Sequence, residues 1–255
     1  MKVAVSGKGG VGKTMLSSLL SLIFARSGYS VLAVDADPNA TLAATLGFPH
    51  PERIIPISEM ADLIEERTGA RPGEAAPFFK LNPKVDDIPE KYWVEHNGVK
   101  LMVMGRLKVG GSGCYCPENA LVEALVAHLL LRRGEVVIMD MEAGIEHLGR
   151  ATAKAVDVMI VVVEPGKGSV ETAHRIKELA KDIGIQNIKV VANKVRREQD
   201  KDFLISAMPD FKFLGFIPYE VAIIEADLVG SPLISSSQKV VSEVESIAAQ
   251  LDNLK

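Results

Sequence analysis

The sequence predicts a three-layer α/β fold in which one mostly parallel sheet is flanked by helices. Two observations predict it. Short, continuously apolar runs alternate with segments of helical period along most of the chain. Aromatic residues are only 5% of a chain that is 47% hydrophobic, so the core must be built mainly from Val, Ile, Leu and Ala, the residues of strands covered on both faces. The 255 residues suit one large domain, and with no internal repeat or interdomain linker a single domain over 1–255 is expected.

The elements follow in order. Lys2 to Val5 is an apolar strand, Leu16 to Ser27 a helix and Ser30 to Val34 a second strand, together a βαβ unit. The rhythm then breaks. Residues 49–98 hold seven prolines, many charges and one short helix, Ser58 to Arg67, and read as an insertion. Its end reads as a hairpin: Tyr92 to His96, a turn at Asn97-Gly98, whose residues accept positive φ, and a return strand from Val99 to Met104. Further strands are expected at Val136 to Met139, Val158 to Val163, Ile188 to Ala192 and Phe213 to Ile217, with helices near 118–132, 146–155, 169–183 and 198–207. The closing helix, Gln238 to Leu254, sets Val240, Val241, Val244, Ile247, Ala248 and Leu251 on one stripe for packing on the sheet.

Charge excludes some functions. Twenty-nine basic residues against 33 acidic ones give a net charge of −4, which argues against nucleic acid as a partner. No apolar run approaches the ~20 residues of a membrane span, and the last helix is acidic on its polar face, so no membrane partner is expected. Met1-Lys2 leads directly into the first strand without an apolar signal core, which points to the cytoplasm. Cys114 and Cys116 are the two cysteines; in a reducing compartment their role is chemical rather than a structural disulfide.

The strongest motif is Gly7-Lys8-Gly9-Gly10-Val11-Gly12-Lys13-Thr14, placed between the first strand and the first helix. Its glycines let backbone N–H groups surround phosphate oxygens at a helix N-terminus. Lys13 is expected at the β and γ phosphates of the nucleotide and the Thr14 hydroxyl on Mg²⁺.

An extra lysine, Lys8, near the start of this loop gives the motif K-G-G-V-G-K-T. The sequence here resembles the deviant Walker A ATPases of the MinD, ParA and nitrogenase iron protein class, the MinD-like SIMIBI group of P-loop NTPases. By that resemblance the chain forms an ATP-sandwich homodimer in which Lys8 reaches the partner's phosphates. Asp35-Ala36-Asp37 resembles switch I, which implies Asp37 as the residue that positions the attacking water and Asp35 as a neighbour of Mg²⁺ and its waters. Asp140, at the end of an apolar strand, resembles the Walker B carboxylate near Mg²⁺, and Glu142-Ala143-Gly144 resembles switch II. Asn193-Lys194 resembles the class's adenine-side motif, with Pro218 and Glu220 on the second wall. Arg196 replaces the aspartate that guanine-binding relatives place after Asn-Lys, which favours ATP. Met15 stands where the class usually has a hydroxyl residue, and Glu142 where MinD and ParA proteins usually have proline.

Cys114-Tyr115-Cys116 precedes a helix expected to begin with Pro117. Two thiolates make half of a four-ligand Zn²⁺ or Ni²⁺ site, and a two-fold dimer supplies four. Together with the segment Asp140 to Arg150, the Cys-x-Cys element resembles carbon monoxide dehydrogenase maturation factors, CooC-type nickel-insertion ATPases. That resemblance implies a shared Ni²⁺ or Zn²⁺ site and carbon monoxide dehydrogenase as target; a relative serving acetyl-CoA synthase would carry the same features. Two readings stand beside it. An electron-transfer ATPase like the nitrogenase iron protein also shares two cysteines per chain, but from well-separated segments. A ParA- or MinD-type partitioning or positioning ATPase does no metal chemistry.

Overall fold

The computed structural model describes residues 1–74, 78–105, 116–132, 134–144, 148 and 150–253. Within them the chain runs β1 (Lys2–Gly7), α1 (Lys13–Arg26), β2 (Val31–Ala36), α2 (Leu42–Thr45), α3 (Ala61–Thr68), α4 (Ile88–Tyr92), β3 (Val94–His96), β4 (Val99–Val103), α5 (Pro117–Arg132) and β5 (Val136–Met141). It continues through α6 (Arg150–Ala153), β6 (Val158–Val163), α7 (Lys167–Ile183), β7 (Ile188–Val195), α8 (Glu198–Ala207), β8 (Lys212–Pro218), α9 (Val221–Val229) and α10 (Gln238–Asp252). Among the described residues the strands form one eight-stranded sheet in the order β3-β4-β2-β5-β1-β6-β7-β8. All neighbours are parallel except the β3/β4 hairpin at one edge.

Every residue of β1, β2, β5 and β6 is buried, which is why these strands read as unbroken apolar runs. Alternate side chains enter two separate cores. Ala4, Val137, Met139 and Val161 face a layer that includes α3, α5, α7 and α8, while Val3, Val5, Ile138 and Ile160 face α1 and α10. The closing stripe of α10 is buried as its period implies.

The differences from expectation have local causes. α1 starts at Lys13 rather than Leu16 because Gly12, with φ of 95°, turns the phosphate loop straight into the helix, and the polar pair Lys13-Thr14 hides that start from an apolar count. α3 begins at Ala61, after a short 3-10 turn over Ile57–Glu59. The hairpin turn is at Asn97 (φ 51°) and Gly98 (φ 76°), with His96 opposite Val99, but Tyr92 ends α4 and the strand begins only at Val94. α2, α4 and α9 were not expected. Of the helix expected near 146–155 the described part is Arg150–Ala153.

The insertion is fastened to the sheet. Ser58 N–H donates to the Met104 carbonyl (3.1 Å), while Met104 N–H donates to the Asp35 carbonyl (2.8 Å). Gly105 has φ of +79° and lies so close to Pro56 and Ser58 that a Cβ would collide with both. Residues 106–115, which carry Cys114, follow directly.

Candidate functional site

The order β2-β5-β1 places three carboxyl-terminal strand ends side by side, the position where open parallel sheets bind ligands. Register does the alignment: Asp35 of β2 lies opposite Asp140 of β5, which lies opposite Val5 of β1. Gly7 to Thr14 leave β1 at this edge. Gly7, Gly10 and Gly12 have φ of 154°, 80° and 95°, and a Cβ on Gly7 would strike the Val162 carbonyl while one on Gly12 would strike the Asn193 amide. These two glycines are therefore required by both conformation and space.

Lys13 is buried, and its Nζ lies 3.9 Å from Asp37 Oδ2. Asp37 Oδ1 accepts from Asn39 N–H at 2.9 Å. Lys8, in contrast, is exposed and its ammonium lies over Gly168 at the start of α7. Gly9 and Gly10 are also exposed, Val11 is buried, and Thr14 and Met15 are half-buried at the first turn of α1.

The two strand-end aspartates are fully buried and differ in their partners. Asp35 accepts from Asp37 N–H (3.2 Å) and Leu42 N–H (2.9 Å), closing the loop that leads to α2. Burial pushes its pKa up to about 6 against those hydrogen bonds. Asp140 Oδ1 accepts from Ser17 Oγ at 3.2 Å, and Oδ2 is buried with no partner. Burial pushes the Asp140 pKa up to about 7, opposed by the Thr14 hydroxyl, by Lys13 and by Ser17, with Asp35 adding to the rise. A buried, unpartnered carboxylate oxygen beside a hydroxyl and a second carboxylate is a donor set suited to a hard divalent cation and its waters, so Mg²⁺ fits here. At the end of β5, the Glu142 carbonyl accepts from Ser6 Oγ (2.8 Å), and Glu142, Ala143 and Gly144 are half-buried.

A cavity of about 380 Å³ opens beside this edge. Its lining includes Gly10, Gly12, Lys13, Thr14 and Met15 from the phosphate loop and Asn193, Lys194, Pro218, Tyr219 and Glu220 from the ends of β7 and β8. The sequence-named base-side residues are thus brought to the phosphate loop. Thr41, Thr45, Ile223, Ile224 and Leu233 complete the lining together with Val240, which the sequence placed only on the packing stripe of the last helix; the others were missed because α2, α9 and the turn at Leu233 carry no motif.

The Asn193 amide faces the phosphate loop and its own backbone. Its Nδ2 donates to the Val11 carbonyl (2.8 Å) and its Oδ1 accepts from Lys194 N–H (2.8 Å). Lys194 Nζ donates to the Gly10 carbonyl (2.6 Å). Since peptide units are planar and trans, fixing the Gly10 and Val11 carbonyls also fixes the opposite directions of the Val11 and Gly12 N–H groups. The polar ends of this pair therefore brace the loop, which motif reading alone assigned to the adenine side. Glu220 Oε1 pairs with Lys239 Nζ at 3.3 Å.

Cys116 is half-buried, and its carbonyl accepts from Ala120 N–H (3.1 Å) at the start of α5. Cys114 lies outside the described residues. Among the described residues no cluster of three or more His, Cys, Asp or Glu side chains is arranged to hold a metal ion, and no helix is long and apolar enough to cross a membrane.

Comparison with known proteins adds to this geometry. The CobQ/CobB/MinD/ParA nucleotide binding domain matches residues 2–233. The carbon monoxide dehydrogenase accessory protein CooC of Rhodospirillum rubrum is 48% identical over 90% of this chain and 88% of its own. An uncharacterized ATP-binding protein of Methanocaldococcus jannaschii is 47% identical over 100% of this chain and 99% of its own. Among solved structures, the MinD cell division protein of Aquifex aeolicus covers 99% of this chain and 98% of its own, with a TM-score of 0.71 at 22% identity.

Proposed function

For a chain that belongs to the CobQ/CobB/MinD/ParA nucleotide-binding family, and within it to the group of the carbon monoxide dehydrogenase accessory protein CooC, we propose the role of an accessory ATPase that assists nickel insertion into carbon monoxide dehydrogenase. The observation that carries the proposal is a convergence. The groups a Mg²⁺-nucleotide site requires meet at three adjacent strand ends, in a chain 48% identical to that accessory protein.

The chemistry follows from the residues. The phosphate loop binds the triphosphate through backbone N–H groups, and Lys13 neutralises charge that grows on the transferring phosphoryl group. Asp37 orients the attacking water in reach of Lys13. Thr14 would hold Mg²⁺, with Asp35 and Asp140 holding its waters, and an ion held there would supply charge neutralisation for the phosphates. The exposed Lys8 ammonium lies beside Gly168 at the start of α7, and in the homodimer Lys8 crosses to the partner's nucleotide. Glu142, Ala143 and Gly144 sense the γ phosphate from the end of β5. Nickel is the cargo, carried by Cys114 and Cys116 of two chains, with Zn²⁺ as the competing metal. Acetyl-CoA synthase is the alternative target.

The test is nickel-dependent activation of carbon monoxide dehydrogenase purified from cells that lack this chain. Activation by nickel, ATP and the chain together, and its loss when ATP is replaced by a non-hydrolysable analogue, is expected. Equal activation without the chain overturns the proposal.

A further inference from the structure

Beyond the phosphate loop and the switch carboxylates, Glu164 lines a neighbouring cavity that shares Lys194 and Tyr219 with the nucleotide cavity. Glu164 follows directly on β6, and its backbone N–H donates to the buried Ser169 Oγ at 3.0 Å. Its Oε2 accepts from Lys194 Nζ at 3.0 Å, and the same ammonium donates to the Gly10 carbonyl. Lys194 makes this reach from a left-handed backbone, φ 58°, a conformation that costs about 1 kcal/mol or more for a side-chain-bearing residue and persists where its surroundings over-determine it. Here Asn193 Oδ1 fixes the Lys194 N–H from behind, and Glu164 and Gly10 fix the ammonium in front.

We propose that Glu164 is a positioning residue for nucleotide binding: it holds Lys194 on the Gly10 carbonyl and so sets the phosphate loop in its anion-binding form before nucleotide arrives. The inference rests on the nucleotide-site reading above and extends it to a residue outside the loop and switch motifs. The ion pair is half-exposed, with 31% of the Glu164 side chain and 41% of the Lys194 side chain accessible, so its contribution to global stability is small. Its effect is directional. Lysine carries a compact charge on a flexible stem with three donors, and without Glu164 that stem is free to leave Gly10 for solvent or for the incoming phosphates. The Gly10–Val11 peptide then loses its outer hydrogen bond, and the loop must reorder on binding. The cost therefore falls on affinity for both ATP and ADP, since each presents phosphates to the same loop.

A double-mutant cycle tests this on the full-length chain, with Mg²⁺-ATP and Mg²⁺-ADP titrated calorimetrically and the melting temperature of the nucleotide-free protein as control. Glu164→Ala and Lys194→Met each weaken nucleotide binding roughly 3- to 10-fold, and the double variant is no weaker than Lys194→Met alone, as expected for residues that act through one another. Glu164→Gln, which keeps an acceptor but not the charge, falls between wild type and Glu164→Ala, and the melting temperature moves by less than about 2 °C. Unchanged affinity in Glu164→Ala, or additive losses in the double variant, overturns the positioning role while leaving the nucleotide site intact. A wild-type chain that binds neither nucleotide overturns both.

Discussion

At the residue scale, Lys13 is a buried cation whose ammonium lies 3.9 Å from Asp37. Burying an ammonium is costly unless it is compensated, and its placement beside Asp37, the proposed water-orienting carboxylate, suits the proposed role in the transition state rather than one in packing. Lys13→Ala is expected to lower ATP turnover by at least about 100-fold, the scale seen when one preorganised charge-stabilising group is removed. Single-turnover phosphate release measures it, and wild-type turnover in the variant rejects the assignment. Base selection is a second residue-scale consequence. Arg196 stands in the sequence where guanine-binding relatives carry the aspartate after Asn-Lys, and its guanidinium lies over the Tyr219 ring at 4.2 Å. GTP should therefore compete with ATP poorly, and comparable affinities in a displacement titration contradict this reading.

At the scale of elements, the insertion buries Ile57, Leu63, Ile64, Val85 and Ile88 in the core and adds an ion-pair cluster beside them. Arg67 of α3 donates to Asp87 through both terminal nitrogens, at 2.7 and 2.9 Å, and Lys91 adds a third contact at 2.7 Å. These partners hold the Asp87 carboxyl well below the ordinary carboxylate range, Arg67 contributing most. A carboxylate with a lowered folded-state pKa stabilises the fold fully above its unfolded value of about 4 and loses that contribution as pH falls from there toward the folded value. Asp87→Asn should thus lower the melting temperature at pH 7, with the gap to wild type narrowing below about pH 4. A gap independent of pH across that range would show that packing around Asp87, not its charge, is what matters.

The same scale explains what the sequence revealed. β1, β2, β5 and β6 were legible because both faces are buried, and the phosphate loop because its spacing is dictated by the backbone path around phosphate. The hairpin was legible from Asn97-Gly98, whose positive φ values few other pairs accept without strain. α4 was hidden because a helix of five residues, Ile88–Tyr92, offers little more than one turn of period and carries a proline. α9 was hidden because its two acidic residues, Glu225 and Asp227, are two positions apart and so fall on opposite sides of a helix, marking no single polar face against the apolar residues around them. The brace made by Asn193, Lys194 and Glu164 was invisible for another reason: its third member is 30 residues from its second, and only the adjacency of β6 and β7 joins them.

At the scale of the whole molecule, both ends of the cysteine-bearing segment are rooted in elements of the nucleotide site. Before it, Met104 N–H bonds to the carbonyl of Asp35, and Gly105 is wedged against the insertion at Pro56 and Ser58. After it, Cys116 leads into α5, which runs into β5 and Asp140. In the proposed dimer, a shift of the Asp35 or Asp140 strand ends on nucleotide binding would reach both roots of the segment, and ATP would in this way alter the approach of paired thiolates across a two-fold axis. Two adjacent cysteines per chain leave a soft metal with half of its ligands, and two-fold symmetry completes four sulfur donors without a histidine. The expected stoichiometry is one Ni²⁺ or Zn²⁺ per dimer, and dimerisation is expected to be promoted by metal and by nucleotide, since in the proposed site each would bind the dimer in preference to the monomer. Anaerobic metal titration with parallel sedimentation, with and without ATP, reads both quantities. Cys114→Ser or Cys116→Ser should cut metal affinity sharply and block activation of the target enzyme while leaving ATP binding by the monomer nearly intact. Lys8→Ala should weaken only the nucleotide-driven part of dimerisation. One metal per monomer, or retained metal binding after both cysteine substitutions, is incompatible with a shared site.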